Sequence, residues 1–535
     1  MKITKRVQSV LLAGLIALNI ILRVSVAPHE IGFDTFTIHV LANSVSEFGE
    51  AKWWAHPLSI VGFYPLSYAS AVPFILSGIS QCTSVNMESV ILLYSFILGI
   101  FAIFGAYLMA GVIWDNDIFK FLVAFAFSTS QGILTFSTWT ANARTLFIMI
   151  FPLFVYLLLK TRIFKVRCYI LTFIILMLLL ATHNYIYFII PIIIGYFVVV
   201  AFYKLGKYTK IKTIKIPENL VNICVFVSFL IMFTIPFFSR ELWLSDPETI
   251  REGVGSRYTL MSFMLSNYVR YIGILIIFTV GGYAYLLLKQ NKRFEEWFLL
   301  VALVCLAPFL YISTYMKWFI ASFAFLLIGI ALTNIATAGT QTKTHIHENN
   351  KKKIFLASLV AILLFSIIFT GYYQDIHFII NPPPYDRYMK EQTYIGGLWI
   401  RDNVDKNLFY DNSLTALRTF AVSEVPTLHG GAIGLTYGFY TSINDINITK
   451  NSPLSVAYYI HGPYVKTPLT PYIEGNVNQL SGAEIDSWWG KRYIPKYNLS
   501  YVIENEGIGD TVFIRSVHRE KDNLYDNGKI RIWRL

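Results

Sequence analysis

The sequence predicts a polytopic α-helical membrane protein of about eleven transmembrane helices, followed by an extracytoplasmic domain of α/β or α+β type. Three observations carry this. Of the 535 residues, 55% are hydrophobic and 14% charged, whereas a soluble chain carries about 25% charged residues. Apolar runs near the roughly 20 residues that span a hydrocarbon core recur from the N-terminus to about residue 373. The remainder, 374–535, has ordinary polar composition and enough length for its own core.

The elements follow in order. Residues 1–26 have a basic start and an apolar middle, as a signal peptide would, but Pro28 behind Ser25-Val26-Ala27 disfavours cleavage. An uncleaved first helix is expected. Residues 25–86 form a long first loop interrupted by Pro57, Pro65 and Pro73. Within it, Trp53 and Trp54 beside Lys52 and His56 suit a helix lying along the headgroups. "YPLSYASAVPFILSG" reads as a re-entrant or interfacial helix. Further spans are expected at about 87–113, 118–134, 144–160, 168–182, 185–203, 219–237, 271–288, 297–313, 318–336 and 354–373.

Charge tests the count. With "MKITKR" inside, basic loops such as "KTRIFKVR", "KLGKYTKIKTIK" and "KTHIHENNKKK" also fall inside. The outside loops are poorer in lysine, which is the positive-inside pattern. The first loop and the tail, with its sequons at Asn447 and Asn498, then face outward. In the tail, "NLFYDNSLTALRTFAVSEVPTLHGG" reads as strand, turn and helix, while "YNLSYVIENEG", "TVFIRSV" and "GKIRIWRL" read as strands. The net charge of +12 collects in loops and does not form a nucleic-acid footprint. Cys82, Cys168, Cys224 and Cys305 all precede the tail, which therefore has no disulfide framework or cysteine zinc site.

The outside loops hold the candidate chemistry. The first offers Glu30, Asp34, His39, Glu47, Glu50 and His56; later ones add Arg144, His183, Arg257 and Lys317. An acid followed by cations suits group transfer, in which the carboxylate takes a proton from an acceptor while the cations hold a departing phosphate. Structural readings stand beside this one. Asp34 is a favoured N-cap residue before "TFTIHVLANSV". His39 follows it at five residues, not at the metal-ligand spacing of four. His183 suits a cap or a core hydrogen bond, and Arg144 and Lys317 suit snorkelling to headgroups.

The order of parts, with "GFDTFTIH" opening the first loop and "EFGEAKWWAHPLSIVGFYP" continuing it, resembles the GT-C superfamily of membrane glycosyltransferases. Its members include oligosaccharyltransferases, protein O-mannosyltransferases and aminoarabinose transferases. The match of residues is confined to about 30–75; the architecture covers the chain. The resemblance implies a GT-C-like membrane domain (1–373) and a C-terminal extracytoplasmic domain (374–535). It also implies Asp34 as the catalytic carboxylate, a polyprenyl-phosphate-sugar donor, and a lipid, glycan or protein acceptor, with inversion. His39, His56, Arg144, His183, Arg257 and Lys317 become substrate contacts. Two departures tell against oligosaccharide transfer to asparagine: "FSTWTANAR" has Asn142 and no carboxylate, and "SWWGK" at Ser487–Lys491 lacks the expected aspartate. No cofactor follows from the residues; a divalent metal, Mg or Mn, is left open. The competing classes are a lipid or glycolipid transporter or flippase, and a non-enzymatic membrane assembly protein. The span centres are largely free of charges and no two halves match, which disfavours transport.

Overall fold

The computed structural model describes residues 4–49, 71–163, 165–183, 185–208, 217–238, 257–310, 316–338, 354, 356–365, 368, 388–405, 408–410, 415–425, 427–428, 469–505 and 511–535. Trp53, Trp54, His56, the Asn447 sequon and the "THIHENNKKK" loop lie outside the described residues. In chain order the helices are α1 (Lys5–Ile21), α2 (Phe33–Phe48), α3 (Ala71–Thr83), α4 (Met87–Ile113), α5 (Asp117–Thr129), α6 (Gln131–Leu134), α7 (Ala143–Lys160), α8 (Val166–Leu180), α9 (Ile186–Tyr208) and α10 (Glu218–Phe238). They continue as α11 (Arg257–Ile272), α12 (Ile276–Leu288), α13 (Phe294–Leu306), α14 (Met316–Phe319) and α15 (Ala321–Ala338), then α16 (Glu391–Asn403), α17 (Thr415–Ser423), α18 (Leu469–Ser481), α19 (Trp488–Lys496) and α20 (Val512–Glu520). The chain divides into two compact units: Met1–Val24, Phe96–Thr138 and Arg144–Phe378 form one; Ser25–Ser95, Trp139–Ala143 and Ile379–Leu535 form the other.

The first unit is an apolar helix bundle. Among the described residues, α4, α7, α9 and α10 are long and apolar enough to cross a membrane. The pair α11 and α12, bent by 96°, makes a fifth if it is one span. Shorter helices occupy other predicted spans, among them α8, α15 and Leu356–Phe365. This is an integral membrane protein. Outward-facing Ile223, Ile231 and Phe238 on α10 are exposed, as a surface that meets acyl chains rather than water allows.

Local signals start the helices and small residues pack them. Asn116 caps α5 by accepting from the N–H groups of Ile118 (3.0 Å) and Phe119 (3.3 Å). Gly282 of α12 lies so close to α15 that a Cβ there would fall on the Leu327 carbonyl. Gly195 of α9 brings its backbone against Ala302 of α13, where a Cβ would stand 3.3 Å from the Ala302 Cα. Close backbone approach of this kind is how helices associate where lipid removes the hydrophobic incentive.

The second unit joins the first loop to the tail. Its five-stranded sheet has the order β2-β1-β3-β5-β4, built from β1 (Leu408–Tyr410), β2 (Thr427–Leu428), β3 (Leu499–Asn505), β4 (Asn523–Asp526) and β5 (Ile530–Arg534). The β2, β1 and β3 strands are parallel, while β5 pairs antiparallel with both β3 and β4. One core sets Phe36 and Val40 of α2 against Met389 and against Leu417, Phe420 and Ala421 of α17. Another packs Val477, Tyr493, Val502 and Phe513 together.

One strand expectation fails. "TVFIRSV" is helix α20, capped by the Thr511 hydroxyl, which accepts from the Ile514 N–H. Its buried residues Phe513, Ile514 and Val517 recur at helical spacing; β-branched content favoured the strand on composition alone. Strand β4, with one half-buried residue among four, had no apolar alternation to reveal it. Asn498 is exposed in a left-handed turn (φ 49°).

The α12–α15 contact gives a direct test. Gly282→Ala should destabilise the bundle by about 1–3 kcal/mol, as overpacking does. Thermal unfolding in detergent should show a lowered midpoint; an unchanged midpoint would remove the close contact as a structural requirement.

Candidate active site

Gly32 precedes α2 with φ 100° and ψ 139°, a conformation open to glycine at little cost. Gly32 is thus the N-cap, and Asp34 lies inside the first turn. The N-cap reading of Asp34 is corrected accordingly. The turn is clamped from several sides. The Thr35 hydroxyl donates to the Ile31 carbonyl (2.6 Å) and accepts from the Ala141 N–H (3.1 Å). The Ile31 N–H donates to the Trp139 carbonyl (3.0 Å). Ser95 Oγ receives the Thr140 N–H (3.2 Å). Trp139 holds φ 45°, uncommon for a residue with a Cβ. The half-buried Asp34 carboxylate therefore sits at the positive end of a helix dipole on an immobilised turn.

His39 shares α2 with Asp34 but faces elsewhere, about 140° around the helix axis at 100° per residue. Its Nδ1 lies 2.7 Å from Glu30 Oε1, with Glu30 fully buried. Burial works against the charged imidazolium of His39, but the Glu30 charge and hydrogen bond, with Glu88 and Glu424 adding, raise its pKa above the ordinary value. His29 is raised in the same way: burial opposes its charge, and contacts with Glu88 (2.9 Å) and Glu391 (3.0 Å) prevail. No sequence spacing announced these pairs, because the partners come from separate elements.

In the first unit, three predicted cationic or basic residues gather around aromatic rings. Arg144 opens α7, His183 lies between α8 and α9, and Lys317 belongs to α14. The Arg144 guanidinium stands 5.1 Å from the Phe136 ring and 6.0 Å from Trp318. Lys317 Nζ, buried, is 5.2 Å from both Tyr271 and Trp318 and 5.7 Å from Phe263. Burial first, then the charge of Arg144, holds His183 well below the ordinary histidine value. His183 is therefore held neutral in the field of Arg144, able to donate or accept a hydrogen bond. Sheltered cations of this kind act on an anion more strongly than they would in water. Arg257 is the first residue of α11.

Three comparisons bear on this arrangement. No protein-family model and no curated protein matches the chain. Solved structures do. The oligosaccharyltransferase of Archaeoglobus fulgidus superposes with a TM-score of 0.58 at 12% identity, covering 94% of this chain and 70% of that one. The archaeal oligosaccharyltransferase AglB from Archaeoglobus fulgidus, in complex with an inhibitory peptide and a dolichol-phosphate, gives 0.55 at 12% identity over 93% and 69%. ArnT from Cupriavidus metallidurans, bound to undecaprenyl phosphate, gives 0.54 at 8% identity over 98% and 97%. The chain has the fold of the GT-C membrane glycosyltransferases, as the order of its parts led us to expect.

A bound metal would need several hard donors converging on one point. Among the described residues, no three His, Cys, Asp or Glu side chains do so, and the loop clamped to α2 supplies Thr140 and Asn142 rather than a carboxylate.

The raised histidines make stability depend on pH with a defined sign. A folded value above the unfolded one gives stabilisation that is complete below about pH 6.5 and is lost as pH rises through the raised value. The unfolding midpoint followed by tryptophan fluorescence should fall across that interval. Glu30→Gln should flatten part of the fall, and Glu30→Ala should cost on the order of 3 kcal/mol on the acid side, as breaking a buried pair does. A pH-independent midpoint would show that the charged pairs do not contribute.

Proposed function

We propose that the chain is a membrane glycosyltransferase that moves a sugar from a polyprenyl-phosphate-linked donor to an acceptor at the extracytoplasmic side, with inversion. The observation that carries this reading is a carboxylate fixed in the first turn of α2, in a fold shared with an oligosaccharyltransferase and with a protein crystallised on undecaprenyl phosphate. The proposal includes eleven spans, a cytoplasmic N-terminus, a membrane part at 1–373 with its first loop at 25–86, and an outward-facing tail at 374–535.

In the proposed reaction the acceptor heteroatom attacks the sugar's anomeric carbon from the face opposite the phosphate. Its proton passes to Asp34, acting as general base. The bond from the anomeric carbon to the phosphate oxygen breaks, and its electron pair stays on the departing lipid phosphate. Arg144 and Lys317 neutralise the charge that develops there, with Arg257 a third cation in the same role. His183, neutral, hydrogen-bonds a phosphate or sugar oxygen, and His56 contributes to the sugar pocket. His39, turned away from Asp34 and engaged by Glu30, is assigned to the cleft on its own side of α2 instead of the sugar contact.

Transfer from a radiolabelled polyprenyl-phosphate-sugar series, assayed in lipid with cell-extract acceptors, tests this. Asp34→Asn should lower turnover by roughly a hundredfold or more while leaving donor binding in place. Lys317→Met should instead weaken donor binding. Full turnover by Asp34→Asn would sink the assignment.

A further inference from the structure

One cavity has no part in the proposed transfer. In the second unit a cleft of about 400 Å³ is walled by α2, α3, the start of α4, α16 and α17, within the range of small-molecule sites. Among the described residues, its walls carry Glu30, Glu47, Glu88 and Glu424 and two basic side chains, His39 and Arg401. With His39 protonated, the lining still holds two more negative charges than positive ones.

Acidity alone would be a solvated face. Three further features make this a built site. Glu30 is fully buried, one carboxylate oxygen is taken by His39, and Oε2 has no hydrogen-bond partner. An ionised carboxylate only accepts, so that oxygen lacks a donor. Secondly, Glu88 is held by His29, whose ring also reaches Glu391 and stacks on Tyr394 at 4.0 Å between centroids. Tyr394 thereby becomes a fixed aromatic wall of the cleft. Thirdly, Glu424 ends α17 in the left-handed region (φ 61°) with its N–H on the Phe420 carbonyl. Glycine is the ordinary residue there, so an exposed carboxylate is kept at the rim where backbone preference opposes it.

We propose that this cleft binds a small ligand bearing a primary ammonium and hydroxyl groups, with the ammonium directed at Glu30 and Glu88 and the body of the ligand against Tyr394. An ammonium supplies the donors that the buried carboxylate lacks, and its charge offsets the acidic excess. Asn43, Ser46 and Asn86 provide the mixed donors and acceptors that hydroxyl groups need. Glu47 and Glu424 form the charged approach. The site differs from the proposed transfer centre and needs no lipid donor.

Calorimetry on the purified full chain in nanodiscs, without donor lipid, tests this independently of turnover. The probes are glucosamine and N-acetylglucosamine, which share a ring and differ in the ammonium. Glucosamine should bind at least roughly tenfold more tightly, and Glu30→Gln should weaken it by roughly tenfold or more, the usual effect of losing a charged hydrogen bond. Glu424→Gln, at an exposed position that leaves the core intact, should weaken it as well and decides the matter if Glu30→Gln fails to fold. Equal affinity for the two sugars, no binding of glucosamine, or wild-type affinity in a folded Glu424→Gln chain would each overturn the proposal.

Discussion

The site depends on a small set of backbone hydrogen bonds around Ile31. Its N–H goes to Trp139 and its carbonyl receives the Thr35 hydroxyl, which in turn receives the Ala141 N–H. Two distant stretches of chain thereby satisfy each other's polar groups in a buried setting, where an unmet N–H or C=O is costly. Gly32 makes the geometry accessible because a residue with a Cβ would be strained at φ 100°. The backbone position of Asp34 then follows from the clamp and the helix start.

The buried pair of Glu30, just before Ile31, with His39 of α2 serves a different end. Bringing both ions out of water is expensive, and a well-packed apolar pair in their place is often no less stable. The pair therefore has little value as a source of net stability. Its effect is to fix which face of α2 carries charge: Asp34 on one side, and a carboxylate with an unmet acceptor on the other. One short helix thus presents two polar faces while Phe36 and Val40 bury a third in the tail's core.

Much of this was legible in the sequence, and the physics explains which parts. Hydrophobic length and loop charge locate α4, α7, α9 and α10 because each signal is contained in about 20 consecutive residues. Asp34 entered by another route, the resemblance carried by "GFDTFTIH", and its role remains a proposal. The meeting of Arg144 and Lys317 was not legible, since nothing in their spacing shows that both stand over the ring of Trp318. The acidic cleft was hidden for the same reason, because Glu30, Glu88 and Glu424 come from different elements. The error at "TVFIRSV" is of another kind. Its β-branched residues suggested a strand, while the spacing of its apolar positions and the Thr511 cap decide for the helix.

The joining of the first loop to the tail has a consequence for how the site forms. Phe36 and Val40 meet Leu417 and Phe420 only after the chain has run through the whole bundle, and Asn43 donates to the Ala421 carbonyl (3.0 Å) across the same separation. Such contacts carry a loop-closure cost that local contacts do not. During synthesis α2 therefore exists for a long time without its core partner. Its carboxylates then stand on a helix too short to be stable alone, since isolated helices of this length are marginal in water. A part of the chain made after the bundle completes the support of α2. A tail bearing no residue of the proposed transfer chemistry thus controls whether Asp34 is held in place, and damage there should reach the site through lost packing rather than through lost chemistry.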